Sequence, residues 1–72
     1  MPPSLPRVSG AEVVRALERL GFVRTRQRGS HVVLRRGLSG CVVPMHRELK
    51  TGTLAAVLKQ AGVSVDELNW SL

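Results

Sequence analysis

The sequence predicts an α+β domain with its elements in the order α-β-β-β-α. Three observations lead there. Two stretches carry apolar residues at helical spacing, and a glycine closes each. Three short β-branched segments lie between them, separated by glycine-containing turns. The 72 residues, 43% of them hydrophobic, suffice for one small core. A three-stranded antiparallel sheet with the helices on one face buries all of these stripes together.

Taken in order, residues 1–8 are proline-rich and read as a flexible N-terminal arm, with a single domain over 9–72. Ser9-Gly10-Ala11-Glu12 is a capping box, in which the serine accepts from the Glu12 amide and the glutamate reaches back. Val13, Ala16, Leu17 and Leu20 then share one helix face, and Gly21 stops a helix over residues 10–20. Phe22 to Gln27 alternates as a strand does, and Arg28-Gly29 supplies a turn. His31 to Arg36 forms a second strand, Gly37 to Gly40 a four-residue loop, and Cys41 to Met45 a third strand. Pro44 places that last strand at an edge or marks its end. Lys50 to Ala61 is a second helix, with Leu54, Val57, Leu58 and Ala61 on its apolar face and Gly62 after it. Ser64-Val65-Asp66-Glu67, a second capping box, opens a short terminal turn ending at Trp70.

These turns imply a register. A Gly37–Gly40 loop sets Arg36 opposite Cys41 and therefore His31 opposite His46, while an Arg28-Gly29 turn sets Arg26 opposite His31. Opposed residues point to the same side. One face then holds Val23, Thr25, Val32, Leu34, Cys41, Val43 and Met45 as core. The other holds Arg24, Arg26, His31, Val33, Arg35 and His46.

The charge balance narrows the function. Eleven Lys and Arg against five Asp and Glu give a formal net charge of +6, which favours a polyanion through counterion release and steering. The arginines gather on both sides of His31, where carboxylates are scarce. Histidine is the side chain whose unperturbed pKa lies closest to neutrality, so it both accepts and donates protons there. Phe22 and Trp70 are the only aromatics, so RNA would be held mainly by its backbone and not by stacking. Trp70 is expected to cap the core or to meet a partner. The single cysteine excludes an intramolecular disulfide and suits a reducing cytoplasm. No apolar run has signal-peptide or membrane-spanning length, so a soluble cytoplasmic protein is expected, without membrane contact.

Gly29-Ser30-His31, then Val43-Pro44-Met45-His46, then Glu48-Leu49-Lys50-Thr51-Gly52-Thr53-Leu54 resemble the HicA family, small toxins of toxin–antitoxin pairs. Leu20-Gly21-Phe22 and Leu58-Lys59-Gln60-Ala61-Gly62 extend the likeness over most of the chain. The resemblance implies a double-stranded-RNA-binding-domain-like fold. It further implies mRNA interferase activity that needs no ribosome, and inhibition by a HicB-type antitoxin. The family's catalytic histidine falls on His31, with Gly29 and Ser30 as the turn that positions it.

Metal-free cleavage of RNA drives the 2′-hydroxyl onto its own phosphate. It needs a base, an acid and positive charge on the phosphoryl oxygens. His31 is the candidate general base or acid, and His46 its candidate complement. Arg24, Arg26, Arg28 and Arg35 are candidate phosphate contacts. Lys50, Thr51 and Gly52, at the start of the second helix, make a candidate anion site. A zinc site built from His31, Cys41 and His46 is rejected, since Cys41 falls on the core face and the spacing lacks a paired-ligand motif. No cofactor is expected. The rival readings are a non-catalytic RNA-binding module on the same fold and a small basic domain that binds only protein.

Overall fold

The computed structural model describes residues 4–72. Its elements are α1 (Gly10–Arg19), β1 (Val23–Arg28), β2 (His31–Arg36), β3 (Ser39–Pro44), α2 (Thr51–Ala61) and α3 (Val65–Ser71). They form a three-stranded antiparallel sheet in the order β1-β2-β3 with helices packed on one side. This is the expected α+β, double-stranded-RNA-binding-domain-like architecture.

The capping box starts α1 as the sequence implies: Ser9 Oγ accepts from the Glu12 amide at 3.1 Å, and the Glu12 carboxylate accepts from the Ser9 amide at 2.9 Å. The apolar face buries Val13, Val14, Ala16 and Leu17, and the chain leaves the helix through Gly21 at φ 97°. In α2 the whole expected stripe, Leu54, Val57, Leu58 and Ala61, is buried, and Gly62 caps the helix in the left-handed region at φ 71°. The second capping box holds as well, between Ser64 and Glu67, and α3 is a seven-residue helix that buries Leu68. Val32, Leu34, Cys41 and Val43 supply the sheet's share of the core.

Both hairpins are tighter than the sequence suggested. Arg28 pairs with His31 across Gly29-Ser30, and Arg36 pairs with Ser39 across Gly37-Leu38. Each turn has a glycine first, at φ 56° and 59°, and a residue of ordinary φ second. That is the sign pattern of a type II′ turn, whose twist suits two-residue hairpins. The expected Arg28-Gly29 turn and four-residue Gly37–Gly40 loop are therefore corrected. Each register moves by two positions, and because the side-chain period is also two, β2 and β3 keep their faces.

In β1 the faces are not kept. The ladder slips between Arg24 and Arg26, a bulge at Thr25, so Arg24 pairs with Leu34 and Val23 with Arg35. Val23 and Thr25, expected in the core, are exposed along with the rest of the strand. Among the contacts that α1 and α2 make with the sheet, those of α2 go chiefly to β3 and those of α1 to β3 and β2, so β1 lies beyond the helices.

Residues 1–3 of the proline-rich arm lie outside the described residues. Of the remainder, Leu5 packs against the core and Val8 is buried, its carbonyl accepting from the Leu49 amide at 2.8 Å. Trp70 is 89% exposed and does not cap the core.

Candidate nucleic-acid interface

The helices cover one side of the sheet and leave the other bare. On the bare side, by register, stand Arg26 and Arg28 of β1, His31, Val33 and Arg35 of β2, and Val42 of β3. His31 opens β2 immediately after the Gly29-Ser30 turn, and its side chain is exposed. The turn is fixed from two sides. Gln27 donates through Nε2 to the Gly29 carbonyl at 3.1 Å, and the Ser30 carbonyl accepts from the Met45 amide at 2.6 Å. Gln27 was not among the residues singled out from the sequence. A glutamine two positions before a turn glycine is too common a pattern to single out.

The partners of His31 differ from those expected. It faces Arg28, not Arg26, on one side, and Pro44, not His46, on the other. His46 lies two positions past Pro44, beyond the end of β3, and is exposed. Its carbonyl accepts from the Gly10 amide at 2.9 Å, which ties this segment to the start of α1. The two histidines are therefore not paired across the β2–β3 ladder.

The arginines divide into three groups. Arg26, Arg28 and Arg35 share the bare face with His31. Arg24, which the bulge sets opposite Leu34, leaves that set. Arg36, paired with Ser39 on the helix side, is tied to the fold: its guanidinium donates to the Leu20 carbonyl at 2.8 Å and lies over the Phe22 ring, with Cζ 4.5 Å from the centroid. From Arg19 to Arg47 the chain contains no aspartate or glutamate, so no carboxylate of the strands offsets this positive charge.

Lys50 occupies the N-cap of α2, and no side-chain hydrogen bond caps that terminus. Thr51 and Gly52 are exposed there. Cys41 points into the core, where burial pushes its thiol above the ordinary value and favours the neutral form. It therefore stands on the opposite side of the sheet from His31. Among the described residues, no three His, Cys, Asp or Glu side chains cluster as a metal site requires.

A family model described as the HicA toxin of bacterial toxin–antitoxin systems matches residues 10–63. The match runs from the first residue of α1 to just past α2 and takes in the whole sheet. The chain belongs to the HicA toxin family. It is accordingly a toxin of a toxin–antitoxin system, and an antitoxin is its implied partner. No curated protein matches the chain significantly. Among the described residues of this HicA toxin, no helix is long and apolar enough to cross a membrane.

Proposed function

We propose that this HicA toxin is a metal-independent endoribonuclease, an mRNA interferase that acts in the cytoplasm, with the bare face of its sheet as the RNA-binding surface and His31 as the catalytic residue. The observation that carries this reading is the placement of one exposed histidine at a fixed turn, directly opposite Arg28, on a face that also carries Arg26 and Arg35 and has no carboxylate. An imidazole there is able to take the proton of a ribose 2′-hydroxyl or protonate the leaving oxygen. The guanidinium groups bind phosphoryl oxygens, bidentately where geometry allows, and stabilise the charge that develops on them. His46 is a second proton-transfer candidate, two positions past the Pro44 that faces His31. Lys50, with the amides of Thr51 and Gly52 at the uncapped start of α2, would supply further phosphate contacts. The face lacks aromatics, in keeping with a grip on backbone and shape more than on bases. Neutralisation follows if a HicB-type antitoxin covers His31.

The test is His31→Ala, assayed on labelled RNA in the presence of a chelator. Cleavage and growth arrest are expected to disappear while the circular dichroism spectrum and melting transition stay as in the parent. Cleavage at the parental rate would overturn the assignment. An intact, shifted RNA band with the parent protein would replace the enzyme with a non-catalytic binding module.

A further inference from the structure

The two edges of the sheet are built differently. β1 carries Arg24, Arg26 and Arg28 and a bulge, all devices that deter another strand from adding to it. β3, the opposite edge, reads Ser39-Gly40-Cys41-Val42-Val43-Pro44, with no charge and an unbroken register to β2. Its Pro44 end is covered by the start of α1, whereas Val42 is exposed.

The hydrogen-bond phase shows which groups of that edge are free. In an antiparallel ladder, bonded and non-bonded pairs alternate. The Met45 amide bonds the Ser30 carbonyl, so Val43, Cys41 and Ser39 turn their backbone groups toward β2. Gly40 and Val42 turn theirs outward. Pro44 also falls on an outward position, where the missing N–H costs the ladder nothing. An open groove of about 530 Å³ lies at this edge, lined by Gly40 and Val42, by Val33 and Arg35 of β2, by the fully exposed Leu38, and by Gln60 of α2. The Arg35 side chain lies beside Gly40, its Cζ 3.9 Å from where a Cβ would stand.

We infer that the free edge of β3 takes up an extended, carboxylate-bearing segment of the antitoxin as a fourth strand. The outward N–H and C=O groups of Gly40 and Val42 pair with its backbone, and Arg35 meets its acidic side chains. A second copy of this chain added through the same edge would set one bare arginine face beside another, so charge selects an acidic partner over self-association. A strand added here is next but one to β2, which sets the remainder of the antitoxin beside His31. The inference rests on the reading that a protein antitoxin binds this toxin. It does not rest on the ribonuclease chemistry.

Amide hydrogen exchange, compared between the free toxin and its complex with a co-expressed HicB-type antitoxin, tests this without RNA. The Gly40 and Val42 amides are expected to slow at least tenfold in the complex. Val42→Pro removes one outward donor and no bond to β2, and is expected to weaken binding at least tenfold with the melting transition retained. Unchanged exchange at both amides in a formed complex overturns the strand addition and leaves the ribonuclease reading untouched. So does slowing that appears in the toxin alone as its concentration rises, which would assign the edge to a second copy. Failure of any complex to form overturns the antitoxin reading and this inference with it.

Discussion

Gly10 rests directly on the carbonyl of Pro44. A Cβ built at Gly10 collides with the Pro44 oxygen and comes 2.9 Å from Met45 Cα, both backbone atoms that cannot turn aside. The Gly10 amide meanwhile bonds the His46 carbonyl at 2.9 Å. A helix start is thus pressed onto the segment leading from β3 to His46, and glycine is there for contact, not for freedom of φ.

Gly10→Ala is accordingly expected to destabilise the toxin by about 1–3 kcal/mol, the usual cost of overpacking. The better helix propensity of alanine, worth at most about 1 kcal/mol, does not offset a backbone collision. Urea denaturation measures the difference, and a stabilised variant would contradict the packing described.

The bulge at Thr25 separates arginines that strict alternation would join. Arg26→Ala and Arg28→Ala are each expected to weaken RNA binding and to lower the slope of log affinity against log salt by about 1. Arg24→Ala is expected to change the slope by clearly less. Titrations of a labelled RNA at several salt concentrations check the ranking, and equal effects at all three positions would count against the division of faces.

Arg36 has a different part from its neighbour Arg35. Its cation–π contact with Phe22 and its bond to the Leu20 carbonyl fasten the end of β2 to the exit of α1. Arg36→Ala is expected to cost about 1–2 kcal/mol of stability and to leave the RNA-binding salt slope near the parental value. Thermal melting and the same titrations separate the two effects.

Acid sensitivity has two identifiable sources. Hydrogen bonds from the Ser9 backbone and side chain hold the Glu12 carboxyl below the ordinary glutamate value, and Ser64 does the same for Glu67. A carboxyl lowered by folding stabilises the fold above its unfolded pKa, and this stabilisation is lost as pH falls through the lowered value. Glu12→Gln with Glu67→Gln keeps the capping bonds and removes the titration. Stability of this double variant, followed by denaturation from pH of about 6 down to about 3, is expected to decline less steeply than the parent's.

What could be read from the sequence follows what burial enforces. Val32, Leu34, Cys41 and Val43 kept their predicted side because one face of β2 and β3 is sealed by helices, so a slip of one residue would expose the core. A slip of two keeps that pattern, and Arg28-Gly29-Ser30 admits two readings of where the turn begins. His31 was therefore placed on the right side and given the wrong neighbours. In β1 no helix covers either side, apolar alternation carries no penalty for error, and the bulge left no trace that Val23 or Thr25 could reveal. Trp70 stayed open for a related reason: a large aromatic near a chain end fits a lid or a handle equally well, and its exposure removes only the lid.

Three arginines, Arg26, Arg28 and Arg35, crowded on one face of β1 and β2 with no carboxylate in either strand, are also a load on the fold itself. Their mutual repulsion opposes closing the sheet, and whatever brings negative charge to that surface relieves it. Binding then strengthens the sheet by mass action. The toxin is thereby firmest while it is occupied, and loosest when left alone in dilute, salt-poor solution.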